Sequence, residues 1–161
     1  MRTLSVGLRR RSEQGSVAVE AALVIPILVL FLAVPLFYAR VFWTYSVAQK
    51  AAHDATRFLA TATNVEMTTL GAGDSDAPVA ALAKAIVLAE TDEIRPALDA
   101  RTIVVQCDLS QCGWSVPQTV RVQVRMRVSD SILGAITGDF YTVSGQGVNL
   151  TADDTMGYAG R

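Results

Sequence analysis

The hydrophobic and polar positions of this chain fall into three regimes. From Ala21 to Ala39 there are nineteen residues without a charge, almost all apolar. As a helix they span roughly 28 Å at about 1.5 Å per residue, close to the ~30 Å hydrocarbon core of a bilayer. Pro26 and Pro35 interrupt the run, but lipid offers the backbone no partner except itself, so a helix there kinks rather than unravels. From residue 40 to 62 the apolar positions Val41, Tyr45, Ala48, Ala52, Ala55 and Leu59 recur every three or four residues, an amphipathic stripe. Lys50 and Asp54 stand at i,i+4 on another face. One helix from Ser16 to Ala62 is therefore predicted, roughly 70 Å long.

"LGAGDSDAP" (70–78) breaks the pattern and reads as linker. Asp76 is expected to cap a second helix, "PVAALAKAIVLAE", with Pro78 in its first turn and Val79, Leu82, Ala83 and Ile86 on one face, ending before Pro96. The period then changes to two. "RTIVVQC" (101–107) is a strand candidate. "TVRVQVRMRV" (119–128) alternates strictly, with Val120, Val122, Val124, Met126 and Val128 on one face and Arg121, Gln123, Arg125 and Arg127 on the other. A last strand pair is expected in "YTVSGQGVNLT" (141–151) and "TMGYA" (155–159). The fold class is α+β: a long N-terminal helix packed on a small antiparallel sheet of three or four strands, with a second short helix. The boundaries are 1–15, a cytoplasmic leader; 16–39, a transmembrane helix; 40–62, its exported continuation; 63–77, a linker; and 78–161, an α+β head.

Charge sets the orientation. Across 161 residues, 51% hydrophobic and 18% charged, the formal net charge is −1, which gives no case for nucleic-acid binding by bulk electrostatics. Residues 1–15, however, hold Arg2, Arg9, Arg10 and Arg11 against Glu13 alone. By the positive-inside tendency this end stays cytoplasmic and everything after Ala39 is exported. Phe37, Tyr38, Trp43 and Tyr45 suit the aromatic belt on the far side. A secretory signal peptide is the rival reading, but the run is longer than the usual 7–15 residues, and "FYA" has Phe37 where a small residue is wanted. No cysteine follows the run to take a lipid.

Candidate chemistry is sparse. Cys107 and Cys112, in "CDLSQC", fall at the turn between the first two strands. In an exported domain they can oxidise, and closing so short a loop is worth about 2 kcal/mol in the chain-entropy model. The single His53 and the C-x₄-C spacing argue against zinc. His53 next to Asp54 suggests acid–base work, but adjacent helix positions do not face each other, and no serine or cysteine nucleophile is spaced to join them. Asp74 and Asp76 have a cation-binding reading beside the capping one. The arginines of 121–127 have a partner-contact or anionic-surface reading beside that of a solvated face. No catalytic, metal or cofactor site is expected.

A glycine, Gly15, then a carboxylate, Glu20, at the fifth position after it, then an apolar run resembles the start of type IV prepilins. In that family a prepilin peptidase cuts after the glycine. The resemblance implies cleavage between Gly15 and Ser16 and leaves Glu20 at mature position five. "VEAALVIPILVLFL" followed by "RVFWTYSVAQKAAHDATRF" is similar to the TadE-like pseudopilins of the tight-adherence (Flp) pilus machinery, with Arg40, Phe42, Tyr45, Gln49, Ala51, Ala52, Asp54 and Arg57 as outright matches. Phe37 stands where the family often has an acidic residue, and Ser16 replaces the aromatic first residue common in major pilins, which leaves N-terminal methylation open. The implied role is that of a processed, single-pass minor pilin or pseudopilin of the inner membrane. Its partners would be a prepilin peptidase, sibling pseudopilins, the major pilin and the inner-membrane assembly platform. Glu20 has two explanations: the positive end of the helix dipole, or pairing with the Ser16 ammonium of a neighbouring subunit, each charge relieving the other's desolvation. A membrane-tethered binding or sensor module that never enters a filament is the alternative.

Overall fold

The computed structural model describes residues 14–72, 76–94, 98–129 and 147–160. The expected leader up to residue 13, Asp74, and residues 141–146 of the expected penultimate strand lie outside the described residues. The elements are α1 (Gln14–Thr61), α2 (Asn64–Thr68), α3 (Pro78–Glu90), β1 (Leu98–Cys107), β2 (Thr119–Val128) and β3 (Val148–Gly157). The chain divides into two units, Met1–Leu36 and Phe37–Arg161. The first contains the N-terminal part of α1, which runs on through Pro26 and Pro35.

In the second unit the sheet is antiparallel in the order β1-β2-β3. β2 covers the expected stretch, and Val120, Val122, Val124, Met126 and Val128 are all buried. The registers Val105↔Val122 and Val124↔Ala152 carry that inner face onto both neighbours. Two expected final strands are instead one, because Thr151–Asp154 continue the ladder. Asp153 is accommodated by an ion pair to Arg121, Oδ2 to Nη2 at 2.9 Å.

Small residues on α1 let this sheet come close. Ala48, Ala51, Ala52, Ala55 and Leu59 have no exposed surface. Two members of the expected stripe behave differently: Val41 is buried, but Tyr45 is exposed and Thr44 lies inside in its place. At about 100° per residue, the buried face is centred toward Thr44 and Ala51, which leaves Tyr45 at its edge. β3 runs alongside α1. Val148 and Leu150 pack on Phe37 and Val41. Gln49 Nε2 donates to the Asp153 carbonyl at 3.1 Å, and the Ala159 N–H donates to the Ala60 carbonyl at 3.0 Å. The distances agree: nineteen helical steps from Val41 to Ala60 cover about 28 Å, and nine strand steps from Leu150 to Ala159 about 30 Å.

α3 packs along β1 through Val79, Ala80, Ala83 and Val87, all buried. Leu82, expected on that face, is exposed. The helix is apolar nearly all round, so hydrophobicity alone does not single out a face. Asp76 does not cap α3. The N-cap is Ala77, without a side-chain bond, and Pro78 opens the helix as expected. The Asp76 carboxylate instead pairs with Lys84 two turns on. The expected linker also contains α2, closed by a reciprocal capping box. The Thr63 N–H donates to Glu66 Oε2 at 2.8 Å, and the Glu66 N–H to Thr63 Oγ1 at 3.4 Å. The Thr63 N–H and the Thr63 hydroxyl, which both donate to the carboxylate, hold the Glu66 pKa below its ordinary value. α2 places Met67 fully inside the core.

The alanine contact sets a clear expectation. Ala55→Leu adds three carbons where none fit and lowers unfolding stability by about 1–3 kcal/mol. The same change at exposed Ser46 shifts it by less than about 0.5 kcal/mol. Chemical denaturation in detergent, followed by circular dichroism, measures both.

Candidate functional site

The features singled out in the sequence fall in two places, the start of α1 and the β1–β2 turn. Gly15 and Ser16 lie in the first turn of α1. Glu20 is exposed and has no ion-pair partner among the described residues. Around it Val17, Val19, Leu23, Val24, Ile25, Ile27, Leu28, Phe31 and Leu32 are all at least half exposed. Leaving one such side chain in water instead of burying it forgoes roughly 1.5–3 kcal/mol, so this surface requires lipid or other apolar helices around it. The helix is long and apolar enough to cross a membrane. Glu20 is the seventh residue of α1 as it begins at Gln14. The dipole effect fades within the first turn, so it gives little support to a carboxylate there while the residues before Ser16 remain.

Further along α1 the matched positions divide by role. Ala51 and Ala52 make the sheet contact, and Gln49 ties α1 to β3. Phe42, Trp43 and Tyr45 are exposed beside the end of the apolar run, as an interfacial belt requires. Lys50 Nζ lies 4.0 Å from Asp54 Oδ2 and 3.8 Å from Glu90 Oε2, so it also reaches α3. His53 does not face Asp54. Its Nδ1 lies 3.3 Å from Oδ2 of Asp154 on β3, a long-range partner with no local signal in the sequence.

Cys107 and Cys112 are joined, with an S–S distance of 2.07 Å. Between them Cys107 and Ser110 exchange backbone bonds of 2.9 and 3.0 Å around Asp108 and Leu109. Both central residues have positive φ, +50° and +67°, a conformation normally left to Gly or Asn. The strain is held from two sides, by the disulfide and by the Asp108 carboxylate. That carboxylate accepts from the Gln118 and Thr119 N–H groups at 2.8–3.0 Å and from the Thr119 hydroxyl at 3.1 Å. The two backbone donors hold its pKa below the ordinary carboxylate value. Gly113, at φ +108°, tucks the loop against Thr69 and Ala77, where a Cβ would come within 3.1 Å of both. At the same end of the sheet the Tyr158 hydroxyl donates to the Ala62 carbonyl at 2.7 Å. Burial, together with the Glu66 charge, raises its pKa. The sequence reading missed both Asp108 and Tyr158.

The Asp108 clasp has a pH signature. Its folded pKa lies below the ordinary 3.8, so its contribution to stability is complete above that value and is lost as pH falls through the lowered one. Asp108→Asn is therefore less stable than the unmodified chain at neutral pH, and the difference shrinks as pH drops below about 4. Unfolding midpoints of the two chains from pH 7 downward measure this.

Neither a curated protein nor a solved structure matches the chain. The family model described as TadE-like protein matches residues 15–57. The matched stretch begins on Gly15, runs through the exposed apolar helix and Glu20, and ends on the alanine-faced segment beneath the sheet. Over these residues the chain is similar to the TadE-like family, which is consistent with a pilin-related protein.

Proposed function

We propose that the chain is a TadE-like minor pilin or pseudopilin that works in assembly of a Flp-type (tight-adherence) pilus by packing helices, without catalysis. The family match, with its first residue at Gly15, is the observation that carries this reading. A TadE-like match suggests a Tad/Flp pilus-associated protein, from a structural rather than an enzymatic family. In this reading a prepilin peptidase removes residues 1–15 at the cytoplasmic face. Residues 16–39 stay in the inner membrane, and the rest of the chain is exported.

The physical steps follow from charge and exposure. Cleavage after Gly15 turns the Ser16 amide into an ammonium and removes the basic leader. Glu20 then lies about one helical turn from a positive group, and close to the start of the helix dipole. When a second apolar helix packs alongside with an axial offset, the Glu20 carboxylate of one subunit meets the Ser16 ammonium of the next. Neither charge is then left unpaired in lipid. The exposed apolar residues of α1 supply the packing surface, and major pilin, sibling pseudopilins and the membrane platform are the partners that use it. Cys107 and Cys112 serve as a staple suited to an oxidising exported compartment.

Cells with an active prepilin peptidase should yield a mature chain that starts at Ser16, read by N-terminal sequencing of membrane extracts. A chain that keeps Met1 overturns the processing and leaves the membrane-tethered binding or sensor module as the better reading. Glu20→Ala should be processed normally but recovered with pilus components at a level reduced about tenfold, as expected for leaving one charge of a close pair unsatisfied. Recovery at the unmodified level removes the case for the Glu20–Ser16 pair.

A further inference from the structure

The outer face of the sheet carries four evenly spaced polar residues of β2, Arg121, Gln123, Arg125 and Arg127, and the structure separates them. Arg121 is neutralised by Asp153 at 2.9 Å. Arg125 and Arg127 are not. Arg125 Nε donates to the neutral Gln123 Oε1 at 2.8 Å, and Arg127 Nε to the neutral Asn149 Oδ1 at 3.2 Å. Neither has a carboxylate partner among the described residues. Both line a shallow cavity of about 200 Å³, together with Thr102, Asn149 and Thr151.

Their height along the fold gives these two charges a meaning. Val128 packs against Phe37 and Val41, the residues where the charge-free run ends and Arg40 begins the polar chain. Arg127 is one residue from Val128, and Arg125 three. At about 3.3 Å per residue they stand roughly 3 and 10 Å above that level. The headgroup layer of a bilayer is about 5–8 Å thick on each side of the hydrocarbon. A guanidinium binds phosphate oxygens with a planar fork of donors, and Arg125 and Arg127 hold such forks within and just above that layer. Arg121, about 23 Å up by the same count, is beyond its reach, and it is the one given an internal carboxylate.

We propose that Arg125 and Arg127 form a docking patch for the phosphate groups of anionic phospholipid, which holds the near end of the sheet on the bilayer where α1 leaves it. The proposal rests on the reading of α1 as a membrane span. It does not depend on which way round the chain is inserted, because every residue after a single span lies on one side of the bilayer. Extraction of the subunit from the membrane then requires breaking these contacts, which gives lipid charge a hold on release as well as on anchoring.

The test uses the full-length chain in phosphatidylcholine vesicles with a trace of spin-labelled phosphatidylglycerol or spin-labelled phosphatidylcholine. Electron spin resonance counts the lipid immobilised at the protein. The unmodified chain should hold the anionic lipid preferentially, and the preference should fall on the order of fivefold for each arginine lost in R125Q/R127Q. R125K/R127K should keep most of it, since a lysine still attracts phosphate as a point charge. Should the glutamine variant fail to fold, the lysine variant decides. With guanidinium carbons labelled, dipolar dephasing from lipid phosphorus must be weaker in R125K/R127K than in the unmodified chain, because these two guanidinium groups are gone. Unchanged selectivity in R125Q/R127Q, or unchanged dephasing in R125K/R127K, overturns the patch and assigns any preference to Arg40 or the leader. A chain released from vesicles by alkaline carbonate overturns the membrane span itself, and the patch with it, before any lipid is counted.

Discussion

The buried core shared by the alanine face of α1 and the valine face of the sheet is the constraint on which the second unit depends. Ala48, Ala51, Ala52 and Ala55 are wholly buried in one core with the branched side chains of β2. Alanine also has the best helix propensity, so the residues that allow close approach also keep the helix straight and continuous. Larger residues there would hold the sheet off the helix and break the alignment of β3 with α1. Gln49, His53 and Ala60 would then lose their partners on β3 and beyond, because those contacts exist only while the two elements stay in step.

α1 is built for two solvents. Among the described residues before Phe37 the large apolar side chains are mostly exposed, while Ala48, Ala51, Ala52 and Ala55 later in the helix are wholly covered. The first arrangement is unstable in water and the second is the ordinary logic of a soluble core. The change comes where the run without charge ends, and the exposed aromatics Tyr38, Phe42, Trp43 and Tyr45 gather there. A helix long and apolar enough to cross a membrane that also enters a buried core makes this change within about two turns.

Much of this was legible in the sequence wherever one periodicity dominated. The nineteen-residue run, the amphipathic continuation and the alternation of 119–128 each carry a single strong signal, and each became the element expected. Legibility failed where the stabilising partner was distant or the pattern was uniform. Thr151–Asp154 have poor strand propensity and form a strand because Arg121 and His53 face them from elsewhere. Leu82 was misplaced because α3 is apolar on every side. α2 was missed although Thr63 and Glu66 have the spacing of a capping box, a local signal that was available. Asp76 looked like a cap because its sequence position is right, yet Lys84, eight residues on, takes its charge. At the candidate site Gly15, Ser16 and Glu20 were singled out by a local pattern, the resemblance to the start of a prepilin. The clasp made by Asp108 was not, because it depends on backbone groups that a turn brings together.

The edge of β3 has a consequence for the company this protein keeps. An open strand edge invites other chains to add to it. Here Gln49 occupies the Asp153 carbonyl, and Asp154 turns a charge inward on the same strand. Such features blunt the template by which sheets grow into insoluble fibrils. A chain with so exposed an apolar helix thus protects the edge of its sheet from pairing with the strands of other chains.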